Sequence, residues 1–235
     1  MLRCIADWVP WRNAMTRIHE LPHMKTDDLI RALAADREPA GSAPGLVLSL
    51  AAAGGFVVSA VFFLWLIGLR PDLLSAMHSV RFMLKPVEMG LLVGAAGVLV
   101  TRLAKPGTPL GRMLLVAAAV PAIMVAALAV ELMSVPRAEW LVRLAGVHWY
   151  VCVINMVLLA MPMLAALLFG LRYGAPTRPV LAGAMAGLLS GALSATLYIS
   201  HCPDDSPIFV AAWFTLAIAI STGIGALAGA RLLRW

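Results

Sequence analysis

The chain has 235 residues, of which 62% are hydrophobic and 13% charged, and its mean hydropathy is +0.91. Soluble domains carry roughly 25% charged residues, so this composition excludes an ordinary soluble domain and indicates a polytopic membrane protein. The net charge of +6 reads as membrane topology, because Lys and Arg collect in cytoplasmic loops, and it gives no support to direct nucleic-acid binding.

In chain order, residues 1–23 show neither a signal-peptide pattern nor hydrophobic periodicity. They read as a misplaced start or a disordered leader, with Met24 as a second candidate start that would leave Cys152 and Cys202 as the only cysteines. Residues 24–44 form a cytoplasmic helix and linker. Thr26 is expected to cap a helix over 26–36 whose first turn carries Asp27 and Asp28, matching the positive end of the helix dipole. Leu29, Ile30 and Leu33 share one face, and Pro39, Gly41 and Pro44 break the pattern. A helix this short is marginal alone in water. Its acidic start and few basic residues argue against a membrane surface, so the expectation is a helix that docks on a protein.

Residues 45–235 form an all-α transmembrane domain. Six stretches, at 46–69, 87–103, 112–134, 149–171, 179–200 and 208–230, are long enough at roughly 20 residues to cross about 30 Å of hydrocarbon. The alternation of a membrane barrel is absent. Pro86 suits the first turn of the second span, and Pro121 and Pro162 are expected to kink the third and fourth. Thirteen Lys and Arg fall on one side of these spans and five on the other, or ten against five without residues 1–23. Both termini are therefore expected to be cytoplasmic.

Small residues recur at helical spacing in Gly183-x3-Gly187-x3-Gly191, Gly90-x3-Gly94 and Gly225-x3-Gly229. Such stripes let helices approach closely within a bundle, and the same chemistry admits a homodimer. Met161 and Met163 read as packing rather than as a copper site. No ionisable residue lies at the centre of any span, which disfavours a pump or proton-coupled transporter. Glu88 and Glu131 sit near the outer ends of their spans, where pairing with Arg81, Lys85 or Arg137 is expected.

The topology places Cys152, just inside the fourth span behind His148-Trp149-Tyr150, on the same non-cytoplasmic face as Cys202 at the exit of the fifth. In a bacterial plasma membrane that face is oxidising, so a disulfide can persist there. Three readings stay open for the pair: buried small hydrophobes, a disulfide, or capture of a soft metal ion. His148 stands four residues before Cys152, and His201 adjoins Cys202; with Asp204 and Asp205 they are the candidate metal ligands or supporting groups. Cys202 is expected to be an exposed loop thiol. The carboxylates also have a plain role, with Asp205 or Ser206 as N-cap and Pro207 at the first position of the last helix. No nucleophile and base pair, phosphate loop or C-x-x-C motif is present, so enzymatic turnover is not expected. A haem held by His148 and His201 would show as a visible absorption band.

Several segments together resemble the NrsF family of membrane anti-sigma factors. They are the opening Met24-Lys25-Thr26-Asp27-Asp28-Leu29-Ile30, the six-span plan, Arg172-Tyr173-Gly174-Ala175-Pro176-Thr177-Arg178-Pro179, and His201-Cys202-Pro203-Asp204-Asp205-Ser206-Pro207-Ile208-Phe209-Val210 followed by Trp213. The resemblance runs from Met24 to the C-terminus. It implies a multi-pass protein of the bacterial inner membrane that holds an extracytoplasmic-function (ECF) sigma factor of the sigma-F type. Release is implied when periplasmic cysteines register metal or oxidative stress. The family's two functional cysteines map onto Cys152 and Cys202, with no resident cofactor beyond a transient metal ion. Sigma-factor docking falls to Thr26, Asp27, Asp28, Leu29, Ile30 and Leu33. A small-solute transporter and a membrane thiol-redox protein are the alternatives.

Overall fold

The computed structural model describes residues 25–35, 44–104, 111–174 and 176–233, with backbone alone at 29, 32–35, 44 and 111–118. The leader expected at 1–23 lies outside these residues. The chain divides into two units, residues 1–42 and 43–235. Among the described residues the structure is all-helical, with no strand.

In the first unit, α1 (Thr26–Ala35) begins where the acidic pair predicts it, with Asp27 and Asp28 in its first turn. Asp27, Asp28 and Ile30 are exposed. The side chains of Leu29 and Leu33 lie outside the described residues.

The second unit contains α2 (Pro44–Leu66), α3 (Leu73–Ala76), α4 (Val80–Leu103), α5 (Gly111–Ser134), α6 (Trp140–Ala145), α7 (Trp149–Arg172), α8 (Pro179–Tyr198) and α9 (Pro207–Leu232). Five of these, α2, α4, α7, α8 and α9, are long and apolar enough to cross a membrane. A sixth span requires residues 119–134 of α5 to be counted with 137–145, across a bend of 120°.

The second span departs from expectation in a way that matters for the site. Its helix starts at Val80 rather than near 87, so Pro86 lies inside α4 and not in its first turn. Proline there removes the bond its N–H would have made to the carbonyl of Phe82. Burial offsets that loss, because Phe82, Lys85, Glu88 and Met89 all face the interior. The seven added residues carry Lys85 and Glu88 into the body of the helix instead of leaving them at its mouth.

α8 is the central helix, packed against α4, α7 and α9. Its buried face is made of small residues, including Ala182, Ala186, Ser190, Ala192 and Ser194. A Cβ on Gly183 would collide with the carbonyl oxygen of Gly225, and one on Gly187 with that of Ser221. The glycines therefore let the α8 and α9 backbones touch, and contact enthalpy replaces the hydrophobic drive that lipid cannot provide. Ser190, Ser194 and Ser221 return their hydroxyl bonds to Gly187, Gly191 and Ala217 of their own helices. The stripe in α4 behaves differently. Gly90 and Gly94 have open space where a Cβ would stand, so they make no helix contact within the described chain.

The core falls into two clusters at opposite ends of the bundle. One gathers Leu48, Val100, Leu167, Ala182 and Leu233, and the other Phe63, Phe82, Met156, Tyr198 and Phe214. Cys152 and Cys202 belong to the second.

Candidate functional site

The second core cluster is closed by the loop from Ile199 to Ser206, which joins α8 to α9. Its first residues continue the helix as a tight turn, with His201 N–H and Cys202 N–H both donating to the Tyr198 carbonyl at 3.0 Å. The loop carbonyls are then taken by basic groups from elsewhere. Arg70 N–H donates to Ser200 O at 3.0 Å and its guanidinium to Cys202 O at 3.1 Å, while Lys85 Nζ donates to Asp204 O at 2.6 Å. Lys85 also pairs with Asp205 at 2.7 Å, and Arg70 bridges Asp205 and Asp72 at 3.2 and 2.7 Å. A lysine 1% exposed persists in such surroundings only when its charge is fully partnered.

The other wall is the turn between α6 and α7. Gly146 adopts φ +55, and a Cβ there would strike the ring of Phe209 and lie 2.8 Å from a carboxylate oxygen of Asp204. The same oxygen accepts from Val147 N–H at 3.2 Å. Glycine thus allows α7 to begin directly against the loop. Trp213 secures this wall, stacking on Trp149 with centroids 4.3 Å apart and donating from Nε1 to Leu144 O at 2.6 Å.

Within this frame Cys152 and Cys202, fifty positions apart in sequence, are both unbridged and each 2% exposed. Their thiols line one pocket and interact with each other. Cys152 also lies 3.9 Å from the sulfur of Met156, and Cys202 3.8 Å from Asp204 O. The expectation of an exposed Cys202 is overturned: the clamped loop folds the thiol inward onto Phe209 and Tyr198, away from solvent. The neighbouring Cys152 thiol, together with the charge of Lys85, holds the Cys202 thiol below the ordinary range even though burial opposes this. A low-lying thiol is the more reactive toward oxidants and soft metals.

The pair lines a pocket of about 370 Å³ with His148, Tyr198, His201 and Asp204. Four of the expected site residues beyond the fold itself are therefore brought to one place, namely both cysteines and both histidines, and Asp204 joins them. Asp205 lies outside the lining and is committed to Lys85 and Arg70. Among the described residues no three His, Cys, Asp or Glu side chains converge as a metal cage. His201 Nδ1 sits 3.0 Å from Gly68 O, and Gly68 reaches that place because its φ of +76 turns the chain at the end of α2. Short of such a cage, the two sulfurs are the soft donors this pocket offers an incoming ion.

The N-cap expectation holds for backbone and fails for side chains. Ser206 is the N-cap and Pro207 the first residue of α9, but neither Ser206 nor Asp205 caps through its side chain. The Ser206 hydroxyl donates to Glu131 instead, at 3.3 Å. Glu131 is also paired with Arg143 at 3.0 Å and Arg81 at 3.4 Å, so the expected Arg81 partner is present and Arg143 replaces Arg137. Glu88 takes none of its expected partners, and one of its oxygens is buried without a hydrogen bond among the described residues. Arg70, Lys85 and Gly146 are the positioning residues that sequence reasoning missed. For Lys85 a signal existed, since a lysine within an apolar stretch needs a buried partner.

The family described as "NrsF: Negative regulator of sigma F" matches residues 33–235. The chain is 40% identical over 218 residues to the anti-sigma-F factor NrsF of Caulobacter vibrioides (strain NA1000 / CB15N), covering 90% of this chain and 100% of that protein. It is 34% identical over 217 residues to the probable anti-sigma-F factor NrsF of Azospira oryzae (strain ATCC BAA-33 / DSM 13638 / PS), with the same coverage of each. No solved structure matches.

Proposed function

From membership of the NrsF family of negative regulators of sigma F, to which this chain belongs, we propose that it is an inner-membrane anti-sigma factor that releases its partner when Cys152 and Cys202 react. The family is one of regulators and not of enzymes. The partner is an ECF-type sigma factor of the sigma-F class. In this reading six spans cross the membrane, both termini are cytoplasmic, and the thiol end of the bundle faces the periplasm. Thr26, Asp27, Asp28, Leu29, Ile30 and Leu33 of α1 hold the sigma factor.

The observation that carries the sensing role is the thiol contact itself. Two cysteines, one on α7 and one in the loop after α8, line one small pocket and interact with each other beside a buried lysine. Oxidation removes two electrons and two protons and leaves a disulfide; a soft cation such as cadmium displaces the protons and bridges the sulfurs. Either event removes the thiol hydrogens and so changes the polar surroundings of Lys85. Lys85 belongs to α4, and α4 packs on α8, so the state of the sulfurs reaches the bundle through one side chain. A stimulus shifts such an equilibrium only by binding its two states differently, and a bridged and an unbridged pair meet that condition.

The test is capture of the sigma factor from detergent by the tagged full-length chain, with and without cadmium or a thiol oxidant. Capture is expected in reductant, with release on treatment, and the Cys152→Ser/Cys202→Ser double variant should hold its partner throughout. A double variant that still lets go as the native chain does would remove the sensing role, and failure of any variant to capture a sigma factor would remove the docking role.

A further inference from the structure

A second cavity, of about 790 Å³, lies between α2 and α7. Asn155, Leu158, Pro162 and Ala165 form its α7 wall, a helical stripe roughly 15 Å long at 1.5 Å per residue. Ser59, Phe62 and Leu66 answer them from α2. Phe62, Leu66 and Leu158 are exposed, so the groove opens sideways, toward lipid in the proposed topology. Its size is that of a small-molecule site.

The polar groups are few and gathered at one end. Ser59 spends its hydroxyl on Leu159 O at 2.8 Å. Asn155 lies beside Tyr198, and since its amide has two N–H donors and an acceptor, at least one N–H is left for an occupant. His201 faces the Gly68 carbonyl through Nδ1; a carbonyl only accepts, so Nδ1 carries the hydrogen and Nε2 is left for a ligand. No Lys, Arg, Asp or Glu lines the groove.

We propose that this groove binds a membrane-dissolved quinone, its ring carbonyl accepting from the Asn155 amide, its ring beside His201 and its tail along Leu158, Pro162 and Ala165. A phospholipid would bring a phosphate into a lining without a counter-charge, at a large desolvation cost. A neutral carbonyl needs only one donor, which the Asn155 amide supplies, and His201 and Phe62 both border the groove. His201 also lines the thiol pocket, so an occupant of the groove bears on the side chain that borders Cys152 and Cys202. This coupling rests on the sensing role proposed above; the binding does not.

The probe is a benzoquinone with a ten-carbon tail, added to the purified full-length chain in detergent. Saturable binding of one molecule per chain is expected, equal in the Cys152→Ser/Cys202→Ser variant. Asn155→Leu should weaken it about tenfold, the loss of one hydrogen bond to a buried polar group, and Ala165→Phe should block the groove, with melting temperature checked for each. Phosphatidylglycerol and a diacylglycerol of equal tail length should not compete. Absence of saturable binding, undiminished binding by both variants, or equal competition by either lipid overturns the proposal. Occupancy should also slow alkylation of the native thiols several-fold; binding with alkylation unchanged overturns the coupling and leaves the site standing.

Discussion

At one end of the bundle α8 and α9 meet backbone to backbone along Gly183, Gly187, Gly225 and Gly229; at the other they are joined by a loop that Lys85 and Arg70 hold from outside. The first contact has no charge and no alternative, since every atom in it is fixed by two helix axes. The second is made of groups that change with chemistry: two thiols, a carboxylate on a lysine, a histidine. The difference assigns the ends separate tasks. Glycine packing keeps the helices together, and in the function proposed above the ionic loop registers a change in the sulfurs.

The comparison breaks most sharply at Lys85. Lys85→Met removes the cation facing Asp205 and the Asp204 carbonyl, and a buried pair deprived of one partner costs about 3–5 kcal/mol. Because Arg70 still reaches Asp205, the lower part of that range is expected, read as a fall in melting temperature in detergent together with rapid alkylation of Cys202.

Gly187→Ala probes the opposite end. Its Cβ would meet the Ser221 backbone, so the helices must part, at about 1–3 kcal/mol for an overpacked contact. Thermal unfolding should show this loss with the alkylation of Cys152 and Cys202 unchanged. Gly90→Ala, where the space is open, should leave both measurements near the native values.

The smallest effect sharpens the comparison without perturbing the fold. The Cys202 pKa is depressed by the Cys152 thiol beside it and by Lys85, so its thiolate, the reacting form, exists below the pH at which an ordinary thiol ionises. The alkylation rate should therefore hold up as pH falls into that region and drop only at lower pH. In Cys152→Ala, which has no donor, the profile should move upward toward an ordinary thiol. A profile that stays in place would show that the sulfurs do not share a proton.

Much of this was legible in the sequence. Apolar length located α7, α8 and α9 to within about two residues, because lipid leaves the backbone no other choice. The stripe Gly183-x3-Gly187 was readable as close packing for the same reason, whereas Gly90-x3-Gly94 has identical spacing and packs on nothing within the described chain; spacing cannot say which face of a helix meets a neighbour. The count of spans and the distribution of charge put Cys152 and Cys202 at one depth on one face; that they share one pocket is known only from the structure. The burial of Cys202 was not legible, because it depends on Arg70 and Lys85, more than a hundred positions away, occupying the carbonyls that would otherwise have drawn the loop into water. Likewise the N-terminal growth of α4 past Pro86 follows from what Lys85 and Phe82 reach, and local propensity alone argues against it.

The turn of π-helix at Val210–Phe214 within α9 can be understood as a phase adjuster. Such a turn accommodates one residue more than the α-helical count, which offsets everything beyond it by about 100° around the axis. Above it Phe209 is turned to the thiol pocket; below it Gly225 and Gly229 are turned to α8. Both faces are correct only because the surplus residue stands between them, so removing one residue from 210–214 would leave a helix of ordinary pitch able to satisfy either end of the bundle and never both.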